Sequence, residues 1–340
     1  MTQMAKTVAF GEILLRLSPE QHKRFVQADR LDVVYGGGEA NVAVLLAELG
    51  VDAAFVSKLP EHEIGQAALN ELRRYGVDTQ YALRGGKRVG IYFLETGASQ
   101  RASKIIYDRA GSAFAEAAPE EFDWEEIFTG ANWFHFTGIT PALSEAAAES
   151  CLRACRAARE RHIPISFDPN YRSSLWPRDK ASSLFDKVMP YVDLCISNPG
   201  QAADVFGIDV PSDGSEEEER RACVQTAEEL CSRYGCRWVA LTRRKSVSAS
   251  DNDFSAMLYA GGESYFSRRY AMHIVDRVGG GDSFAAGLIY ALQKEFSLER
   301  SIEFAAAASC LKHTVPGDAC HASAEEVLRL AAGVNALIQR

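Results

Sequence analysis

Near the C-terminus, the run DRVGGGDSFAAGLIYAL (276–292) sets a carboxylate, Asp282, directly after three glycines and ahead of an apolar stretch of helical type. Glycine adopts backbone conformations closed to other residues, and the first N–H groups of a helix have no intrahelical partner. The N–H groups of Gly279, Gly280 and Gly281, with those of the helix start, can therefore converge on one anion, above all a phosphoryl group in transfer. Such a reaction asks little more of a protein than donors for the equatorial oxygens and a carboxylate for the attacking hydroxyl. A helix N-terminus should also keep Asp282 ionised at neutral pH. The plainer alternative is a glycine loop in which Asp282 only caps the helix. The lysine-containing P-loop and the protein-kinase glycine loop are both absent.

Other polar residues fall at suggestive spacings. YGGGEAN (35–41) has Asn41 where a dinucleotide fingerprint needs its third glycine, and no acid follows a second strand at the right distance. In SKIIYDRAGSA, Tyr107 and Arg109 are two apart and face one side of a strand, with Tyr92 on the partner strand. FDPNYRSSLW (167–176) sets Arg172 just beyond a strand end. Two arginines among tyrosines point to a carboxylate on the ligand, which guanidinium grips bidentately. The alternative is that each arginine pairs with a local acid. His135 alternates with Phe134 and Phe136 and reads as a core histidine, His62 as a solvent-exposed one, and no metal cage is visible.

The elements that must position these residues alternate. Strands are predicted at 7–10, 53–59, 133–138, 163–168, 192–198 and 237–243, and helices at 39–50, 64–76, 144–161, 179–190 and 218–234. This order predicts an α/β fold with a mostly parallel central sheet and helices on both faces. Ligands in such sheets sit beyond the carboxyl ends of the strands. Residues 13–36 and 87–113 break the alternation and read as hairpins of a small separate sheet, with GASQ as a turn. The whole chain, 1–340, reads as one domain carrying that small sheet.

The net charge of −9 argues against a nucleic-acid binder. Apolar runs such as AAAASCL (305–311) fall short of a membrane span. The N-terminus lacks signal-peptide anatomy, and the eight scattered cysteines fit reduced thiols in a cytoplasmic protein. SEEEERR (215–221) reads as a solvated helix start with favourably placed acids.

Residues 276–284 resemble the C-terminal signature of the ribokinase-like (PfkB) carbohydrate kinases, usually D-T-x-G-A-G-D-x-F. Asp276, Gly279, Gly281, Asp282 and Phe284 are in register, while Arg277, Val278 and Gly280 depart. YGGGEANVAVLLAELG (35–50) and IGQAALNELRRYGVDT (64–79) resemble a second signature, so the likeness runs from about 7 to 330. It implies a three-layer ribokinase-like fold with a β-sheet lid. It further implies ATP and Mg2+ with a monovalent cation as an additional candidate, Asp282 as base, and Gly279–Gly281 as anion hole. Gly36 and Gly37 would let substrate approach the backbone, and Asn41 would bond a sugar hydroxyl.

Within the family, Gly11-Glu12, YDRAGSA, HFTGITPAL and DPNYRSSLW resemble the 2-keto-3-deoxygluconate kinases, where residues matching Gly37, Tyr92, Tyr107, Arg109 and Arg172 contact substrate. The implied reaction converts 2-dehydro-3-deoxy-D-gluconate and ATP to the 6-phosphate and ADP. On the nucleotide side the likeness implies Thr242, Arg244 and Lys245 of LTRRKS, where relatives carry a glycine-containing turn, and Ala307 and Cys310 on an adenine-side helix. It also implies Asn198 near magnesium through water, with neutral Gln201 where relatives carry glutamate. Pairing of lids would make a homodimer or higher homo-oligomer. Two alternatives stay open: a kinase for a fructose-like sugar or nucleoside, and a catalytically weak sugar-binding regulator.

Overall fold

TVAF and its sister strands are mostly apolar or small on both sides, so each strand has to be covered on both faces. The computed structural model, which describes residues 6–333, shows how; residues 1–5 and 334–340 of the expected domain lie outside the described residues. The chain runs β1 (Lys6–Phe10), β2 (Leu14–Pro19), β3 (Leu31–Gly36), α1 (Gly38–Glu48), β4 (Asp52–Leu59), α2 (Glu63–Arg74) and β5 (Ala82–Arg84). There follow β6 (Ile91–Glu95), β7 (Lys104–Asp108), β8 (Ala131–Thr137), α3 (Glu145–Glu160), β9 (Ile165–Asp168), α4 (Arg178–Val188) and β10 (Leu194–Ser197). The remainder is α5 (Glu216–Tyr234), β11 (Trp238–Ser246), β12 (Asp251–Ala260), β13 (Glu263–Phe266), β14 (Tyr270–His273), α6 (Gly280–Gln293), α7 (Leu298–Lys312) and α8 (Ala324–Ala331).

The main sheet has the order β13-β12-β11-β10-β9-β8-β1-β4-β5, with β14 also on β12. From β5 to β11 all neighbours are parallel. The strands β12, β13 and β14, which were not expected, add antiparallel at one edge. The strand period of two sorts β1 residues to opposite faces: Ala9 joins a core with Val42, Leu46 and Phe284, while Val8 and Phe10 join another with Phe136, Cys151 and Phe185. Helices α1, α6 and α7 cover the first face and α3, α4 and α5 the second, which gives three layers.

The run AAAASCL has a packing cause. A Cβ on Gly287 of α6 would stand 3.0 Å from the Ala308 Cβ and 3.1 Å from the Ala305 Cα of α7. Close helix approach therefore needs small residues on both sides. Ala307 and Cys310 are buried in this layer.

Residues 13–36 and 87–109 supply a second sheet of order β3-β2-β6-β7, in which Tyr92 and Tyr107 are direct cross-strand partners. Its inner face packs Leu14, Tyr92 and Leu94 with Tyr107 and Val278 and carries Ile105, the cross-strand partner of Leu94, while its outer face exposes Val33 and Ile106. The loop after β6 reaches the turn after β11: Ala249 N donates to Ser99 O at 2.7 Å, and Ser99 N to Ser250 Oγ at 3.1 Å. That turn lies at 247–250. The sequence likeness puts a turn at LTRRKS, yet β11 continues as strand through Ser246, paired residue for residue with β12 as far as Asn252.

His135 is a core residue, its Nδ1 2.9 Å from Ser166 Oγ and its pKa lowered to about 3 by burial. The eight cysteines are free, and no helix among the described residues is long and apolar enough to cross a membrane.

The α6–α7 contact yields the first prediction. Gly287→Leu should force the helices apart and destabilise the fold by about 1–3 kcal/mol, read as a lower midpoint in thermal unfolding. An unchanged midpoint would mean that the two helices separate freely.

Candidate active site

The carboxyl ends of the parallel strands open into a cleft of about 1440 Å³, walled on one side by the second sheet. Gly279 to Asp282 form part of its floor. Gly279 has φ 84°, the left-handed region, and is itself the N-cap of α6; a Cβ there would strike the Asp318 carbonyl oxygen. At Gly280 a Cβ would fall 2.2 Å from the His313 ring. Nothing lies within 4 Å of a Cβ built on Gly281. The turn is thus packed on its protein sides and open toward the cleft at Gly281.

Asp282 is in the first turn of α6 and does not cap it, contrary to the simpler reading of the sequence. Its Oδ2 accepts from Asn41 Nδ2 at 2.7 Å. Burial raises its pKa to about 7; the Asn41 bond opposes this, and the charges of Asp168, Glu39 and Asp318 add to it. The expectation that the helix end keeps Asp282 fully ionised is therefore corrected: desolvation and three neighbouring carboxylates outweigh the dipole.

Several glycine and amide assignments change in the same way. Asn41 is buried, its Oδ1 accepts from Gly37 N at 3.3 Å and its amide holds Asp282, so it faces the carboxylate rather than a sugar hydroxyl. The space beside Gly36 is filled by the Asp318 carboxylate, and that beside Gly37 by the Glu12 carbonyl. These glycines admit protein atoms where substrate was expected, although Gly37 still lines the cleft.

On the acceptor side, Tyr92, Tyr107, Arg109 and Arg172 all line the cleft. The buried Arg109 donates from Nε to Glu12 Oε2 at 2.9 Å, so it is the arginine with a local acid. The other Glu12 oxygen, Oε1, is buried without a partner. The Tyr92 hydroxyl donates to Asp318, and burial, then the Asp318 charge, push its pKa well above the usual range. Arg172 is exposed; its guanidinium meets only the Tyr171 carbonyl at 3.4 Å, and among the described residues no acid lies within ion-pair distance.

On the other side, Thr242, Arg244, Lys245, Asn198 and Gln201 line the cleft. Thr242 and Arg244 alternate with Arg243, which is tied to Glu219 of α5. Arg244 Nη2 stands 3.3 Å from His313 Nε2. The Asn198 Oδ1 accepts from Gln201 N at 3.0 Å, so it is engaged in a local cap. Ala307 and Cys310 are corrected: both are buried on α7 and neither lines the cleft, Cys310 lying near Glu303 and Arg244. Among the described residues no cluster of three or more His, Cys, Asp or Glu could hold a metal ion.

Four site residues went unread in the sequence. Asp168, at the β9 end, lines the cleft with its pKa raised to about 6 by burial; its place after a predicted strand was a usable signal. Buried Glu39 accepts from Thr137 N at 2.9 Å and from the hydroxyls of Thr137 and Thr140 at 2.8 and 2.7 Å. Arg16 and Asp318 meet at 2.7 Å across 302 residues, with no local signal at either.

Residues 4–324 match the pfkB family of carbohydrate kinases. The chain belongs to that family. A Haloferax volcanii protein named 2-dehydro-3-deoxygalactonokinase is 32% identical over 336 residues, 99% of each chain. A Bacillus subtilis 2-dehydro-3-deoxygluconokinase is 27% identical, over 92% of this chain and 90% of its own length. The crystal structure of a Thermotoga maritima 2-dehydro-3-deoxygluconokinase is 50% identical and superposes with a TM-score of 0.94, over 97% of this chain and 100% of that one. The ribokinase-like fold read from the two signatures is thereby borne out.

With Asp282 as the base, its raised carboxyl would set a pH dependence for this pfkB kinase. A base must be deprotonated, and kcat/KM reports the free enzyme. Its acid limb is expected near pH 7, with rate rising above it. Asn41→Ala removes the bond that lowers this pKa and should move the limb to higher pH. A limb left in the ordinary carboxylate range would show that Asp282 is not the titrating base. Asp282→Asn should cut kcat by about a hundredfold to ten-thousandfold. That variant should also be more stable than the parent at alkaline pH. The parent's folded state is penalised progressively as pH rises from the usual 3.8 through about 7.

Proposed function

We propose that this chain transfers the γ-phosphoryl group of ATP to a hydroxyl of a 2-keto-3-deoxy sugar acid, with 2-dehydro-3-deoxy-D-gluconate, phosphorylated at its 6-hydroxyl, as first choice. The bond of Asn41 to Asp282 beside the open face of Gly281, opposite an unpaired Arg172, carries the reading. Asp282 takes the hydroxyl proton as the new O–P bond forms and the bond to ADP breaks. N–H groups of Gly279–Gly281 face the oxygens of the moving phosphoryl group. Arg172 supplies the charge for the acceptor's carboxylate, and Tyr107 flanks it.

The nucleotide would lie along the β10–β11 side, its phosphates toward Arg244 and Lys245 with Thr242 beside them. Mg2+ brings charge neutralisation to the phosphates. The neutral Asn198 and Gln201 suit contact through its waters and do not suit direct ligation. The exposed Val33 and Ile106 offer an apolar outer face through which second sheets of two copies would pair. The free, mostly buried cysteines favour a cytoplasmic setting. The names of the relatives support both C4 epimers, gluconate and galactonate forms.

A coupled ADP-release assay across acidic and neutral sugars tests the reading. Turnover with a 2-keto-3-deoxy acid is expected, and no turnover with any sugar acid would sink it. Arg172→Ala should raise KM for the acid by roughly tenfold to a hundredfold, the usual worth of a charged hydrogen-bond partner, with neutral sugars unaffected. Equal losses on both classes would make Arg172 structural. Arg109→Ala should instead lower the rate on every acceptor, because it strands Glu12 in the cleft wall.

A further inference from the structure

Behind the glycine turn, on the side away from the cleft, lies a lysine with no access to solvent. Lys312 is the last residue of α7 and is 0% exposed. Its Nζ donates to the Val315 carbonyl at 3.2 Å and, more weakly, to the Asp276 carbonyl at 3.5 Å. The carboxylates of Asp276 and Asp318 act on its charge and oppose the effect of burial. Its Cε would lie 3.2 Å from a Cβ on Gly279, so the stem presses directly on the turn.

The oxygens within hydrogen-bond reach of Nζ are the main-chain carbonyls of Asp276 and Val315; the carboxylates of Asp276 and Asp318, paired with Arg16, act on it from beyond ion-pair distance. Oxygen sets of this kind hold hard cations. The Asp276 carboxylate is itself fixed, since its Oδ1 accepts from Val278 N at 3.1 Å and its Oδ2 from Gly317 N at 3.1 Å, while Asp318 is held by Arg16 and Tyr92. A free monovalent cation entering here would meet the ammonium already in place. The monovalent cation implied by the sequence likeness therefore does not fit this site.

We propose that the Lys312 ammonium is a built-in monovalent cation: it fills the position among these oxygens that potassium or ammonium would take, and holds the Gly279–Gly281 turn in its phosphoryl-facing form without added salt. Lys312 is a positioning residue, acting through the turn on the transferred group. The inference rests on the kinase reading of the same turn.

The test compares the full chain with Lys312→Ala and Lys312→Met. ATP binding by calorimetry and ADP release are measured at constant ionic strength in tetramethylammonium, sodium, potassium or ammonium chloride. The parent is expected to show the same kcat and ATP affinity in every salt. Lys312→Ala should lose roughly tenfold or more in tetramethylammonium, the scale for removing a charged hydrogen-bonding group, and regain activity in ammonium or potassium. Lys312→Met fills the space without charge and should be weak in every salt. Strong activation of the parent by potassium would overturn the proposal, whatever the fate of the variants. So would a folded Lys312→Ala that is fully active without a small cation, or inactive with every one. A purely structural lysine gives no salt-selective rescue. A parent that binds no ATP in any salt would count against the kinase reading itself, whereas a parent that binds ATP only with potassium would overturn the lysine proposal alone.

Discussion

One buried guanidinium ties the two sheets together. Arg16 of β2 reaches Asp276 Oδ2 at 2.8 Å and Asp318 Oδ1 at 2.7 Å with the same Nη1, and Tyr92 of β6 closes the group on Asp318. Burial works against the charge of Arg16, and the two carboxylates more than offset it, so its pKa ends above normal. Removing one member of such a group strands the others and is commonly worth about 3–5 kcal/mol. Asp276 leads into the glycine turn and Asp318 supplies the carbonyl against Gly279. The second sheet and the glycine turn are therefore joined through this set of contacts.

The chemistry at the cleft floor follows from crowding. Asp282, Asp168, Glu39 and Asp318 all bear on one small volume, and each raises the cost of ionising Asp282. Asn41 is the neutral donor that counteracts them, itself steadied by the backbone of Gly37 at the start of α1. One helix N-terminus thus aims the amide and another aims the carboxylate. The outcome is a carboxyl raised to about 7, a value that suits the base proposed for it.

Much of this was legible in the sequence because the signals were local. Parallel strands buried on both faces read as short apolar runs, and the glycine turn is backbone chemistry that survives substitution at Arg277 and Val278. What failed to show was long-range pairing. Arg109 and Arg172 looked equivalent until Glu12, 97 residues from Arg109, was seen to hold the first and not the second. Asn41 and Asp282 meet across 241 residues, so a polar residue near glycines was read as facing ligand. Ala307 and Cys310 look the same whether they pack a helix or border a nucleotide. The edge strand β12 buries every second residue from Asn252 to Ala260, a period that was open to reading, whereas β13 and β14 have four residues each and are too short to show one.

The contacts of the Ser99 loop with the turn at 249–250 give the cleft a mechanical asymmetry. At one end the second sheet is pinned by buried ions; at the other it is fastened by a pair of hydrogen bonds near the surface. Such exposed bonds are worth only about 0.5–1.5 kcal/mol each. Thermal motion will undo the weak end far more often than the strong one. The second sheet is thus held by one strong attachment at Arg16 and one weak attachment at Ser99.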